Sequence, residues 1–196
     1  MTLVLATRNA HKVREIGQVL GPGFRLRSLA DFPEVPEVPE EGETFEANAV
    51  QKAAFAARAL GVPAMADDSG LEVDALQGAP GVRSARFAGE RATSAENNAK
   101  LLRLLKGVQE AQRSARFRCV IALALPDGTA RTAEGACAGR IAEAPRGTGG
   151  FGYDPLFIPD GYDRTFAELG EEVKNRISHR AHALRRAREM ILEIAK

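Results

Sequence analysis

The chain has 196 residues, 44% hydrophobic and 27% charged, enough for a full core in one domain and ordinary for a water-soluble globular fold. Its formal net charge of +1 excludes an overall field that would recruit nucleic acid or an anionic membrane, so any anion must be held by a local cluster. No apolar run nears the roughly 18 residues of a membrane span, and two cysteines, Cys119 and Cys137, suit a reducing compartment better than a disulfide scaffold. The N-terminal residues lack the basic and long apolar regions of a signal peptide, and the expectation is a cytoplasmic protein.

The first element is a buried strand at Leu3-Val4-Leu5-Ala6. Val13, Ile16, Val19 and Leu20 then recur at helical spacing, with Asn9 placed to cap the helix. A strand, a polar turn and a helix N-terminus bring free backbone N–H groups together, and Arg8 and Lys12 flank that turn as a candidate phosphate site. Phe24 to Leu29 alternates as a strand. Residues 33–42, rich in Pro and Glu, form an exposed loop, from which Glu40 and Glu41 could reach a metal.

Thr44 to Gly61 is an Ala-rich helix stopped by Gly61. Asn48 and Lys52 share one face of it, which reads as the wet side. Val62 to Ala66 is an apolar run that should end at Asp67-Asp68-Ser69-Gly70, because Asp and Gly are poor strand residues. Two adjacent carboxylates at a strand end suit a divalent metal or a general base, although Asp-Asp-Ser-Gly is also ordinary turn composition. Leu71 to Leu76 alternates and reads as an antiparallel continuation. Residues 77–90 form a long glycine-rich loop, and Ser94 to Lys106 a helix with Leu101, Leu102, Leu104 and Leu105 on its apolar side.

Ala115 to Leu125 is a strand with Phe117, Cys119, Ile121, Leu123 and Leu125 on one face. Asp127-Gly128 reads as a two-residue hairpin turn into Thr129 to Arg140. That register sets Cys119 opposite Ala136 and turns Cys137 to the other face, against an intrachain disulfide. Gly147, Gly149 and Gly152 match G-x-G-x-x-G, but Pro155 and an apolar strand follow where a dinucleotide site needs a helix. The P-loop pattern is absent. What remains is a loop from which Phe151 and Tyr153 project, suited to stacking on a flat ring. Thr165-Phe166-Ala167-Glu168 is a capping box, and Ser178 precedes the last helix. His179 and Arg180 in its first turn oppose the helix dipole, which favours a bound anion or base there. Arg185, Arg186 and Arg188 read as a solvated face.

These blocks, in this order, resemble the inosine triphosphate pyrophosphatase family, the RdgB/HAM1-like non-canonical purine nucleoside triphosphate pyrophosphatases. The resemblance runs nearly end to end. It rests on Ala6-Thr7-Arg8-Asn9 with Lys12 and Glu15, on Thr44-Phe45 with Asn48-Ala49 and Lys52-Ala53, and on Ala66-Asp67-Asp68-Ser69-Gly70-Leu71. Gly78-Ala79-Pro80-Gly81, Ser84-Ala85-Arg86, Gly147 to Pro155, Lys174 and Ser178-His179-Arg180 complete it. One departure is that Glu40-Glu41 abuts Gly42, where the family usually has one residue between the pair and the Gly.

The resemblance implies hydrolysis of ITP, dITP and XTP to the monophosphate and pyrophosphate with Mg2+ as cofactor. The implied fold is α/β: a single elongated domain, a mixed, twisted central sheet flanked by helices, and two lobes around a nucleotide cleft. The implied partners are a small-molecule nucleoside triphosphate and a second copy in a homodimer, with no nucleic acid and no membrane. Asp68 is then the catalytic base, with Asp68 and Glu40 as metal ligands and Asp67 in support. Lys12, Lys174 and the amides after Thr7 would hold the pyrophosphate, and Lys52 is a further phosphate ligand. The substrate-binding set is Thr7, Arg8, Asn9, Ala10, His11, Lys12, Ser69, Phe151, Gly152, Tyr153, Asp154, Lys174, His179 and Arg180. Within it, His179, Arg180 and the amides near Phe151 would donate to a 6-oxo group and disfavour adenine. Two rival readings are a pyrophosphatase for modified pyrimidine nucleotides and a non-catalytic nucleotide- or RNA-binding module. The second leaves Asp67-Asp68 unexplained.

Overall fold

The computed structural model describes residues 2–36, 38, 40 and 42–194. Its elements are β1 (Thr2–Leu5), α1 (Ala10–Leu20), β2 (Arg25–Ser28), α2 (Phe45–Leu60), β3 (Ala64–Val73) and α3 (Ser94–Leu104), followed by β4 (Ser114–Ala124), β5 (Ala130–Ile141), β6 (Phe157–Pro159), α4 (Phe166–Ile177) and α5 (His179–Ile194). Six strands are hydrogen-bonded in the order β2-β1-β3-β4-β5-β6. The sheet is mixed: β1 runs parallel to both β2 and β3, and β5 is antiparallel to β6. Parallel neighbours need long crossovers, and α1 supplies the one between β1 and β2. This is the expected α/β class with a mixed sheet. Among the described residues no helix is long and apolar enough to cross a membrane.

Two compact units make up the chain. The first holds Met1–Asp68, Cys119–Gly135 and Arg180–Lys196. Its core joins Leu3 and Leu5 of β1, Ile16 of α1, Met65 of β3, Ile121 and Leu123 of β4, and Leu184 and Ile191 of α5. Local signals set its helices as expected. Asn9 caps α1 by accepting from the His11 and Lys12 amides, and Thr44 caps α2 by accepting from Ala47. Gly61 ends α2 in the left-handed region at φ 65°.

The second unit holds Ser69–Arg118 and Ala136–His179. Leu71, Val73, Leu101, Leu105, Phe117, Ile141, Leu156, Phe157 and Phe166 form its core. Capping boxes start α3 at Thr93/Glu96 and α4 at Thr165/Glu168. Gly170, at φ 81°, breaks α4 into two pieces.

Four local expectations are corrected. The strand does not stop at Asp67-Asp68-Ser69-Gly70: β3 runs through them to Val73, so Leu71 continues the same strand rather than opening an antiparallel one. Intrinsic preference loses here to partners from other elements, described below. Leu104 lies 47% exposed, off the apolar side of α3, whereas Leu101 and Leu105 are fully buried. The turn between β4 and β5 has three residues, 126–128, inside a closing Leu125–Thr129 pair, not two. The Leu125 amide donates to Thr129 and its carbonyl accepts from Gly128, whose φ of 95° places it at the bulge position of such turns. Residues 81–86, read as loop, form a short 3-10 helix.

Both cysteines are free and buried, Cys119 in the first core and Cys137 in the second. Burial pushes both thiols up to about 12. Iodoacetamide at pH 8 is therefore expected to leave the native protein unlabelled and to modify two thiols per chain after denaturation, read by intact mass. Labelling of the native protein would contradict this packing.

Candidate active site

Asp67 and Asp68 are adjacent on β3, so their side chains leave opposite faces of the strand and meet different partners. Both are buried.

Asp67 meets cations. One oxygen lies 3.2 Å from Lys12 Nζ of α1, and the other accepts from Arg180 Nη2 and Nε of α5 at 3.0 and 3.3 Å. Arg180 also donates through Nη1 to Glu15 of α1. Burial alone would raise the Asp67 carboxyl. Lys12, Arg180 and Lys52 outweigh it and hold the group far below the ordinary carboxylate value. Asp67 is thus held ionised at neutral pH, which suits a structural role better than proton transfer.

Asp68 meets α2. Its Oδ1 lies 3.2 Å from Lys52 Nζ and its Oδ2 accepts from Asn48 Nδ2 at 3.1 Å. The same ammonium contacts Glu40 Oε1 at 2.6 Å and the Asp67 carbonyl at 2.9 Å. Burial pushes the Asp68 carboxyl up; Lys52 pulls it down and Glu40 pushes it up again. Lys52 itself is opposed by burial, but Asp68, Glu40 and Asp67 outweigh that and raise it. One carboxyl is therefore held ionised and its neighbour is biased toward accepting a proton, a separation expected of a base and its support.

The N-terminal turn of α1 is more occupied than its sequence suggests. Asn9 Oδ1 takes the His11 and Lys12 amides, and Thr7 Oγ1 takes the Asn9 amide at 3.1 Å. Arg8 donates to the Leu29 and Val35 carbonyls at 2.7 and 2.6 Å, tying down the chain after β2 rather than only flanking the turn. Ala10 and His11 are exposed.

In the second unit, the loop before β6 is built on Asp154. Its Oδ2 accepts from the Phe151 amide at 2.8 Å and from Lys174 Nζ at 2.5 Å. Lys174 also sits 4.4 Å from the centroid of the Phe151 ring, within cation–π range. Gly150 is at φ 72°, and a Cβ there would come within 2.1 Å of Asp154 Oδ2, so the loop needs glycine at this position. Asn98 of α3 donates to the Gly152 carbonyl at 3.1 Å. Phe151 and Gly152 remain half-buried.

Residues 3–190 match the Ham1 family model. The chain belongs to the Ham1 family. It is 57% identical over 192 residues to the dITP/XTP pyrophosphatase of Desulforamulus reducens, covering 97% of this chain and 96% of that protein. The dITP/XTP pyrophosphatase of Geobacter sulfurreducens is 56% identical over 183 residues, covering 93% and 92%. In structure, the chain matches a HAM1 protein from Coxiella burnetii with a TM-score of 0.88 at 42% identity, covering 98% of this chain and 99% of that one.

Within this Ham1-family chain, Lys12, Asp68 and Glu40 are brought together around Asp67 and Lys52, while Phe151, Gly152, Asp154 and Lys174 form one cluster of their own. Three expected ligands have other occupations. Tyr153 does not project: its ring is in the second core and its hydroxyl donates to the Ser84 carbonyl at 2.9 Å. Arg180 is 2% exposed and spends its guanidinium on Asp67 and Glu15, which also removes the dipole argument for an anion at the start of α5. His179 is buried with its ring stacked on Phe117 at 4.7 Å. Ser69 follows Asp68 on β3 and is half-buried. Glu37 and Glu41 lie outside the described residues. Asn48, which the helix pattern puts on the wet side of α2, is instead fully buried and donates to Asp68. Its signal is an asparagine that costs helix propensity in the midst of alanines, one turn before a lysine.

Proposed function

We propose that this chain hydrolyses the non-canonical purine nucleoside triphosphates dITP, XTP and ITP to the monophosphate and pyrophosphate, with Mg2+ as cofactor and Asp68 as general base. It is a nucleoside triphosphate pyrophosphatase, a hydrolase of nucleotide metabolism, like the relatives that match nearly its whole length. The observation that carries the residue assignment is the split of the Asp67-Asp68 pair. Asp67 is paired with Lys12 and Arg180, whereas Asp68 faces Lys52 and Asn48 of α2, with Glu40 on the same ammonium.

The donor set fits Mg2+. Asp68 and Glu40 converge on one ammonium, and like-charged carboxylates held that close favour a further cation. Among the described residues no group of three or more His, Cys, Asp or Glu could hold a metal. Two carboxylates would suffice for Mg2+, which keeps several waters and takes phosphate oxygens for the rest of its shell. When bound, it supplies charge neutralisation for the triphosphate and polarises the phosphoryl oxygens. Asp68 takes a proton from the attacking water, a bond forms from that oxygen to the α-phosphorus, and the α–β bridge breaks to release pyrophosphate. Lys12 and Lys52 supply fixed positive charge. Within the second unit, the half-buried Phe151 ring, set by Lys174 and Asp154, offers an aromatic face of the kind on which a base stacks. The same reading carries a cytoplasmic homodimer that takes free nucleotide rather than nucleic acid or membrane.

Incubation with dITP and Mg2+ is expected to yield dIMP and pyrophosphate, with dTTP and UTP left intact. Release of inorganic phosphate and dIDP, or equal turnover of the pyrimidines, would overturn the reading.

A further inference from the structure

We infer that Asn48 is a positioning residue for Asp68, and that Gly42 is glycine because Asn48 needs its space; the inference rests on the assignment of Asp68 and Glu40 proposed above. Asn48 is fully buried in α2. Its carboxamide spans two elements. Nδ2 donates to Asp68 Oδ2 at 3.1 Å, and Oδ1 accepts from the Gly42 amide at 2.8 Å. Gly42 stands two residues after Glu40. One side chain therefore joins the carboxylate on β3 to the end of the loop that carries the other candidate metal ligand.

The chemistry asks for asparagine. Asp68 has its two oxygens divided between Lys52 and Asn48, so rotation of the carboxylate is limited from both sides. Aspartate at 48 would present an acceptor to an acceptor. Alanine would leave a buried amide and a carboxylate oxygen without that partner. Glutamine adds a methylene at a fully buried position and would shift the carboxamide off both partners.

The demand on Gly42 is spatial. It is not among the glycines with positive φ, yet a Cβ there would lie 2.6 Å from Asn48 Oδ1 and 3.0 Å from the Ala47 Cβ. Alanine at 42 would keep the backbone and displace the carboxamide. Asn48 acts through Asp68 and not on substrate, so its loss should appear in turnover and in metal affinity rather than in substrate affinity.

The test uses Gly42→Ala, Asn48→Ala, the double variant and Asp68→Asn. Steady-state kinetics with dITP, Mg2+ calorimetry on the substrate-free protein and thermal melting are read on each. Gly42→Ala and Asn48→Ala are each expected to lower kcat about 10- to 100-fold with KM changed less than about threefold, and to weaken Mg2+ binding about tenfold. The double variant should be no worse than Asn48→Ala by more than about threefold, because both changes remove one contact. Wild-type kcat and Mg2+ affinity in Gly42→Ala, or losses that multiply in the double variant, would overturn the inference. So would a lowered melting temperature with unchanged Mg2+ affinity, the signature of a purely structural asparagine. Should Asn48→Ala fail to fold, the kcat and Mg2+ affinity of Gly42→Ala alone support or overturn the inference in the same way. An Asp68→Asn protein that retained turnover would instead overturn the underlying assignment, and this inference with it.

Discussion

Asp68→Asn is expected to lower dITP turnover by about 10²-fold or more while the protein stays folded. The substitution is isosteric, so β3, Asn48 and Lys52 keep their places. On the assignment proposed above, what is lost is the group that takes the proton and the negative charge that would hold a divalent cation. Stability should not follow activity down. Burial pushes the Asp68 carboxyl up, which means the fold disfavours its charged form. Removing that charge relieves the burial cost, against which stand the ion pair with Lys52 and one hydrogen bond, since the new amide NH2 must face a donor, Lys52 Nζ or Asn48 Nδ2. The two effects oppose each other, and the melting temperature is expected to move by only a few degrees. Pyrophosphate release and a circular-dichroism melt on the same preparation check both halves. Turnover near the wild-type rate would remove Asp68 from the base position.

Elements whose causes are local were legible in the sequence. Asn9, Thr44, Thr93 and Thr165 announce helix starts because a capping side chain bonds amides two or three residues away. Gly61 announces a helix end for the same kind of reason. Strand β3 was not legible beyond Ala66, because what holds it extended lies far off in the chain. Asn48 is 20 residues from Asp68, and Arg180 is 113 from Asp67. Tyr153 shows the same limit. In a glycine-rich loop a tyrosine reads as a projecting ring, but its hydroxyl has a carbonyl partner 69 residues away at Ser84, and the ring goes into the core.

The division of labour within the site was legible only in outline. Adjacent acids at one point of the chain indicate charge chemistry, and strand alternation says that two neighbours meet different surroundings. Which of them stays ionised depends on where the cations come from. Lys12 is placed by the helix that follows β1 and reaches Asp67, whereas Lys52 is placed by α2 and reaches Asp68. Lys174 is the converse case. Its charge suggests a phosphate ligand, but the structure gives it a carboxylate and an aromatic ring in its own unit.

Arg180→Met is expected to destabilise the fold by about 3–5 kcal/mol, the cost of leaving buried charge without its partner. The guanidinium is nearly inaccessible to water, as is the Asp67 carboxylate it holds, and its third contact is Glu15. Methionine fills much of the stem's volume but offers no donor, so two carboxylates are left facing an apolar chain. Lys12 still neutralises one oxygen of Asp67, which keeps the loss below that of an isolated buried ion. The pH dependence follows from the direction of the Asp67 shift. Its folded value is held far below the unfolded value of about 3.9, so its stabilisation is fully present above about pH 4 and is lost as pH falls through the folded value. Without Arg180 that depression is smaller, and the variant takes up the Asp67 proton at a higher pH than the wild type does. The stability gap between the two proteins should therefore be full at neutral pH and narrow in acid, beginning where the variant protonates. Urea unfolding of both proteins between pH 7 and pH 3 measures it. A gap under about 1 kcal/mol at neutral pH, or one that stays constant into acid, would show that Arg180 is not holding Asp67 ionised and would return it to the pool of candidate substrate ligands.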